Sequence, residues 1–134
     1  MGVAENKELV KRIYAEWWTK ANLDAVDELV SDGLVCHNEG VDGKEGIKTI
    51  ITEFRSAFPD LVEAPDLLVG EGDRVAARFT ARGTHQGVFM GIEPTGKAFS
   101  FTGIDIYQIA DGKVSEWWFA EDFYGLLEQL GGLR

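Results

Sequence analysis

Residues 83–97 read GTHQGVFMGIEPTGK, and thirteen residues later the chain continues with Asp111-Gly112-Lys113 and a tryptophan pair, Trp117-Trp118. Glycine and proline interrupt residues 83–97 too often for a helix. The segments on either side, residues 74–84 and 98–109, alternate apolar and polar side chains as strands do. This stretch therefore predicts a structured loop at the rim of a sheet.

The hydrophobic period changes at Pro59. Before it, apolar residues recur at helical spacing in three segments, and after it the period is two. The predicted helices cover residues 5–20, a short segment near residues 24–30, and a segment that begins at Gly43. The predicted strands cover residues 34–38, 61–69, 74–84, 98–109 and 114–121, and Asp122 is a suitable N-cap for a last helix. This order predicts one α+β domain over residues 1–134, a curved antiparallel sheet with three N-terminal helices over its concave face and a short C-terminal helix.

The composition argues against several classes of partner. A formal net charge of -10 disfavours binding to nucleic acid, whose phosphates need a basic surface, and to an anionic membrane. Cys36 is the only cysteine and the two histidines are far apart, so no metal site is expected. No dinucleotide or phosphate-binding glycine motif is present, and no cofactor is expected. Because no apolar run approaches roughly 18 residues, a cytoplasmic protein is expected.

The hairpin around Asp111-Gly112 predicts which side chains share a face. A three-residue loop with Gly112 in the left-handed region would place Asp105 opposite Trp117 and Gly103 opposite Phe119. In that register Gly103 leaves space in an aromatic wall, and the inward face is apolar with one carboxylate. A competing two-residue turn would shift the pairing by one residue.

Asp105 is the candidate general base, because burial among apolar residues should raise the pKa of its carboxyl group. The alternative is a structural aspartate that a tyrosine hydroxyl, an arginine or a backbone amide satisfies. In the preferred register Glu121 lies on the same face but about 13 Å along the strand. That distance excludes a pair of cooperating carboxylates of the kind that glycosidases use.

His85 and His37 are candidate proton carriers or hydrogen-bond donors at the pocket. His85 could instead lock the turn that follows residues 74–84, and His37 could be an ordinary loop residue. Arg78 lies in the middle of a predicted strand and would reach the cavity only if the sheet face were reversed.

The run from His85 through Asp111-Gly112-Lys113 to the C-terminal GLLEQLG (residues 125–131) resembles the SnoaL-like polyketide cyclases. These belong to the nuclear transport factor two-like superfamily of small cone-shaped α+β domains. The resemblance implies cofactor-independent aldol cyclisation of a polyketide ester, with an aspartate as base. It also implies a homodimer that forms through the outer face of the sheet.

The family's polar pocket positions are replaced in this chain. Its His-x-Asp triplet matches Trp117-Trp118-Phe119, and its Gln-x-His triplet matches Gly103-Ile104-Asp105. The resemblance therefore implies a base that has moved to Asp105, with His37 or His85 as its electrophilic partner.

Two functions are consistent with these patterns. The first is an enzyme of the cyclase or isomerase type that acts on a hydrophobic, polyketide-like molecule. The second is a hydrophobic ligand-binding domain without catalysis, and an epoxide hydrolase-like activity using Arg78 and Asp105 is a further alternative. The predicted substrate contacts are Tyr14, Trp17, Phe54, Phe58, Phe101, Gly103, Tyr107, Trp117, Phe119 and Glu121.

Overall fold

A computed structural model describes residues 2–38 and 40–132, in which helices precede a sheet. The helices are α1 (Val3–Ile13), which continues directly into a π-helical segment (Tyr14–Thr19), α2 (Asp24–Leu29), α3 (Gly43–Ala57) and α4 (Phe123–Gln129). The strands are β1 (Val30–Cys36), β2 (Val62–Glu71), β3 (Arg74–Thr84), β4 (Ala98–Ala110) and β5 (Lys113–Glu121). None of the helices in the described ranges is long and apolar enough to cross a membrane.

The five strands form one sheet in the order β1-β5-β4-β3-β2. All neighbouring pairs are antiparallel except β1 and β5, which run parallel. Helix α1 packs on β2 and β3, and α3 packs on β1, so the helices cover one face of the sheet. The predicted α+β class, with N-terminal helices on a curved sheet and a short C-terminal helix, is confirmed.

Most predicted boundaries agree with the structure to within two residues, and β1 is the exception. Val30, which the sequence pattern predicts to lie in the second helix, has extended backbone angles and pairs with Val114 of β5. Its β-branched side chain favours a strand over a helix, and its partner on β5 completes the parallel pair. The predicted N-cap of the last helix is present, because the Asp122 side chain accepts a hydrogen bond from the Gly125 amide.

The preferred register of the last hairpin is wrong. Asp111 and Gly112 both have positive φ, 52° and 74°, so they form a two-residue turn and Ala110 pairs with Lys113. An irregularity between Gln108 and Ile109 then shifts the pairing by one further residue. Asp105 consequently faces Phe119 instead of Trp117. Together the two changes shift the pairing of β4 with β5 by two residues. The same residues therefore face inward as predicted, but each lies opposite a different residue of the neighbouring strand.

Gly103 also has a different role from the predicted one. It faces Glu121, and a Cβ atom at this position would lie 2.5 Å from Cζ of Phe79 and 2.8 Å from Cβ of Glu121. The missing side chain therefore accommodates the ring of Phe79, which packs edge-on against the strand. It does not leave space for a ligand.

Candidate ligand-binding and catalytic site

A cavity of about 370 Å³ lies between the concave face of the sheet, α3 and the loop that joins β3 to β4. Its sides are mostly aromatic rings, which we call the aromatic wall: Trp18, Phe54, Phe79, Phe89, Trp117, Phe119 and Phe123. Val41 and Ile50 add aliphatic surface. A concave, largely apolar cavity of this size is typical of small-molecule sites.

The loop between β3 and β4 supplies one end of the cavity. Phe89 and Ile92 exchange two backbone hydrogen bonds of 3.0 and 2.8 Å, and the intervening Met90 and Gly91 have positive φ. This tight turn brings Phe89 and Met90 onto the cavity, where Phe89 stacks on Phe123 of α4. The segment predicted as a structured loop at the sheet rim is therefore part of the site.

Three carboxyl groups face the same apolar cavity: Glu63 on β2, Asp105 on β4 and Glu121 on β5. A fourth, the exposed Glu53, lies on α3 at the same cavity. No lysine, arginine or histidine lines the cavity within residues 2–38 and 40–132. The titratable side chains that these described residues contribute to the cavity are thus all carboxylic acids.

Asp105 is buried at the centre of a hydrogen-bond network. The Tyr14 hydroxyl donates to Oδ2, Trp117 Nε1 donates to Oδ1 over 3.1 Å, and the Tyr107 hydroxyl donates to that of Tyr14 over 3.2 Å. Burial raises the pKa of the Asp105 carboxyl group to about 6, although the hydrogen bonds from Tyr14 and Trp117 oppose the rise. The group is therefore a stronger base than an exposed aspartate and is still ionised at neutral pH.

Glu121 lies much closer to Asp105 than the predicted register allowed. It stands two residues beyond Phe119, the partner of Asp105, and such diagonal neighbours are about 7–8 Å apart. Burial, with a smaller contribution from the Asp105 charge, raises the pKa of Glu121 to about 7. The distance argument against cooperating carboxylates therefore no longer holds.

Glu63 was not singled out from the sequence. The residue is only 6% exposed, and within the described residues its carboxyl group has no hydrogen-bond or ion-pair partner. Burial first, and then the charges of Asp105 and Glu121, raise its pKa well above the ordinary value. The sequence did hold a signal, because Glu63 has the same strand parity as the buried Leu61.

Residues 8–130 match the SnoaL-like polyketide cyclase family. The chain belongs to this family.

Several relatives are similar to this SnoaL-like protein over most of its length. Aklanonic acid methyl ester cyclase DnrD of Streptomyces peucetius is 28% identical over 129 residues, which cover 92% of this chain and 89% of that protein. Nogalonic acid methyl ester cyclase of Streptomyces nogalater is 29% identical over 90 residues, which cover 66% of this chain and 67% of that protein. The structure of TsrD from Streptomyces laurentii is 32% identical, with a TM-score of 0.90 and 98% coverage of both chains.

Two SnoaL-like positions carry aromatic side chains in this chain. Trp117 and Phe119, which the resemblance predicts to occupy the positions of the family's histidine and aspartate, both line the cavity and pack against each other at 4.7 Å between ring centroids. Asp105, which the resemblance predicts at the histidine position of the second triplet, accepts hydrogen bonds from both Trp117 and Tyr14. The structure therefore places the substituted positions around one acid.

The predicted substrate contacts divide into two groups. Phe54, Trp117, Phe119 and Glu121 line the cavity together with Asp105. The others lie behind this first layer, either as hydrogen-bond partners or as core residues: Tyr14, Trp17, Phe58, Phe101, Gly103 and Tyr107.

Trp18 lines the cavity in place of the predicted Trp17. The helical period of Leu9, Ile13 and Trp17 continues only as far as Ile13, where the π-helical segment begins. A π-helical turn is wider than an α-helical one and changes the face on which each later residue lies. Trp17 therefore lies in the core, and Trp18 points to the cavity and packs edge-on against Phe54.

The structure does not bring either histidine to Asp105. His85 is fully buried at the base of the β3–β4 loop, where Nδ1 accepts a hydrogen bond of 3.2 Å from the Thr95 amide. His37 lies on the outer face of β5, where its ring stacks on Trp118 and Nε2 lies 2.9 Å from a Glu116 oxygen. Neither ring lines the cavity.

Arg78 is also separated from Asp105. Its guanidinium forms an ion pair with Asp66 on the outer face of the sheet, opposite the cavity. An arrangement of arginine and aspartate in one pocket, as an epoxide hydrolase-like activity would need, is not formed by Arg78 and Asp105.

Proposed function

We propose that this protein is an enzyme that performs cofactor-independent acid/base chemistry, aldol cyclisation or isomerisation, on a flat hydrophobic substrate. The observation that carries the proposal is the buried Asp105 carboxyl group, which faces an aromatic cavity without a cationic partner among the described residues. Its pKa of about 6 suits a general base that works near neutral pH.

In the proposed mechanism Asp105 removes a proton from a carbon atom next to a carbonyl group. The hydrogen bonds from Tyr14 and Trp117 hold the carboxylate in one orientation before and after this transfer. In an aldol cyclisation the resulting enolate carbon forms a bond to a second carbonyl carbon, and the alkoxide oxygen then takes a proton.

Glu121 is the group best placed to give that proton. With a pKa of about 7, a large fraction of its carboxyl groups is protonated at neutral pH. Two carboxyl groups whose environments separate their pKa values can divide the roles of base and acid. Return of the proton from Asp105 to Glu121, directly or through water, would restore the enzyme after each turnover.

The kind of substrate follows from the wall of the cavity and from the relatives. Aromatic rings on several sides favour a planar, conjugated molecule. The two related cyclases from Streptomyces act, by their names, on aklanonic acid methyl ester and nogalonic acid methyl ester, and the family is described as polyketide cyclases. A polyketide-like ester with two carbonyl groups within reach of each other is therefore the proposed substrate class.

The test compares turnover of such esters by the wild type and by the Asp105→Asn variant, followed by chromatography and mass spectrometry. Loss of a general base costs about 10²- to 10⁴-fold in rate, and binding should change much less. His37→Ala, on the outer face, is the matched control and should keep full activity. Wild-type rates in a folded Asp105→Asn protein would contradict the proposal.

A non-catalytic ligand-binding function is the second candidate. It is favoured by Trp117 and Phe119, aromatic residues at positions where the resemblance to the family implies a histidine and an aspartate. In that case aromatic ligands should raise the melting temperature of the wild type and of Asp105→Asn equally. No ligand would then be converted by either protein.

We also infer that two copies associate through the outer face of the sheet. This face carries exposed apolar side chains: Val35, Leu67, Val69, Ile104 and Ile106. Contiguous exposed apolar surface is typical of interaction sites. Light scattering coupled to gel filtration should give twice the chain mass, and the monomer mass for an Ile104→Lys variant.

A further inference from the structure

Glu63 is a buried carboxyl group that the proposed mechanism does not use. It lies on β2 at the cavity, and its backbone is fixed by two hydrogen bonds with the Thr19 hydroxyl of 3.1 and 3.2 Å. Its carboxyl group has no hydrogen-bond or ion-pair partner within residues 2–38 and 40–132, although the residue is only 6% exposed. A buried carboxyl group without a partner is energetically unfavourable and needs an explanation.

Within the described residues, the surroundings of Glu63 lack the positive charge that would normally balance it. The other titratable groups that the described part of the chain presents to the cavity are Asp105, Glu121 and the exposed Glu53, all of them acids. Removal of Glu63 and Asp105 from water has already occurred during folding. A positive charge that enters the cavity would therefore gain the attraction of the acids without a second desolvation of them.

The aromatic wall strengthens the same preference. The faces of tryptophan and phenylalanine rings attract cations, and the attraction is largest where water is excluded. The carboxyl groups are not grouped closely enough to hold a metal ion, since no cluster of three metal ligands occurs among the described residues. The geometry fits an organic cation with apolar substituents.

We propose that the substrate of this cavity carries a positively charged nitrogen, a protonated or quaternary amine, which Glu63 binds beside the aromatic wall. This inference rests on the proposed function, because it concerns the same cavity, and it narrows the substrate class to hydrophobic molecules with a basic group. Glu63 then acts in recognition, and Asp105 and Glu121 act in proton transfer.

Proton release is a consequence of this assignment. Glu121, with a pKa of about 7, is partly protonated in the empty cavity at neutral pH, and burial raises the pKa of Glu63 in the same direction. A bound cation favours the ionised forms, so its binding should release protons and become tighter as the pH rises. A neutral ligand of the same shape should do neither.

The experiment compares two isosteric probes by titration calorimetry at pH 7.5: 3-hydroxyphenyltrimethylammonium and the neutral 3-tert-butylphenol. We expect the cation to bind at least about tenfold more tightly. Glu63→Gln should remove most of this preference and leave the affinity for the neutral probe unchanged. Glu71→Gln, an exposed acid at the β2–β3 turn, is the matched control and should behave as the wild type.

Proton release is measured on the wild type in two buffers of different ionisation enthalpy, so this arm of the test does not depend on a variant. Equal affinities for the two probes, or no proton release, would show that Glu63 is a neutral hydrogen-bonding or structural group and would overturn the inference. Asp105-dependent turnover of neutral esters would survive that result. Failure of both probes to bind, together with absence of turnover, would overturn the proposed function as well.

Discussion

The buried acids should make this protein less stable as the pH rises from 5 to 8. Folding raises the pKa of Asp105 from an ordinary 3.8 to about 6, which corresponds to about 3 kcal/mol at about 1.4 kcal/mol for each pH unit. Below pH 3.8 the group is protonated in both states and has no effect. Between 3.8 and about 6 the unfolded chain releases the proton first, so stability falls as the pH rises, and above that range the full cost remains.

The size of the effect in the accessible pH range can be worked out from the same values. About half of the Asp105 cost, roughly 1.5 kcal/mol, develops between pH 5 and 8. Glu121, with a pKa raised to about 7, changes stability in the same direction within this window. The exposed acids whose pKa values are lowered, such as Asp32 and Asp60, lose their contribution only below about pH 4.

Urea unfolding followed by tryptophan fluorescence at a series of pH values measures this slope. The wild type should lose at least about 1.5 kcal/mol of unfolding free energy between pH 5 and 8, and Asp105→Asn should lose less. Glu71→Gln, an exposed acid, should keep the wild-type slope. A free energy of unfolding that is constant or increases over this range would refute the assignment of Asp105 as a buried acid with a raised pKa.

Two substitutions test the surroundings of the acid. Tyr14→Phe removes a hydrogen bond to the ionised Asp105. Since hydrogen bonds to charged groups are worth about 1.5–3 kcal/mol, the pKa of Asp105 should rise by about one to two pH units. The measurement is the pH–rate profile, whose acid limb should shift by the same amount. Gly103→Ala should lower the unfolding free energy by about 1–3 kcal/mol in urea titrations, because the new methyl group would overlap the ring of Phe79. Gly33→Ala, where no atom lies within 4 Å of the new Cβ, is its control, and an equal loss in both variants would contradict the packing argument.

The faces of the strands could be predicted from the sequence, because alternation of apolar and polar residues depends only on the strand period. Phe101, Asp105 and Tyr107 are buried as expected, and so is Trp117. The depth of each side chain could not be predicted in the same way. Tyr107 and Phe101 lie behind the cavity, since the curvature of the sheet and the packing of α1 decide which inward residues meet the open space.

The sequence patterns do not identify two residues of the cavity, Trp18 and Glu63, for two different reasons. The π-helical segment after Ile13 exchanges Trp17 for Trp18 at the cavity, and a helical period of 3.6 contains no information about such a segment. Glu63 was overlooked because a charged residue in a predicted strand is usually assigned to the exposed face. The same-parity Leu61 argued for the inward assignment.

The irregularity between Gln108 and Ile109 has the largest effect on the chemistry. A two-residue turn at Asp111-Gly112 with regular pairing on both strands would place Asp105 opposite Trp118. Because opposite residues share a face, Trp117 and Glu121 would then point away from Asp105, toward the outer side of the sheet. The extra residue on β5, Ser115, restores the parity and brings the Trp117 indole and the Glu121 carboxyl group to Asp105. A bulge several residues away from the acid therefore determines whether the cavity holds an isolated aspartate or a hydrogen-bonded aspartate with a second carboxyl group beside it.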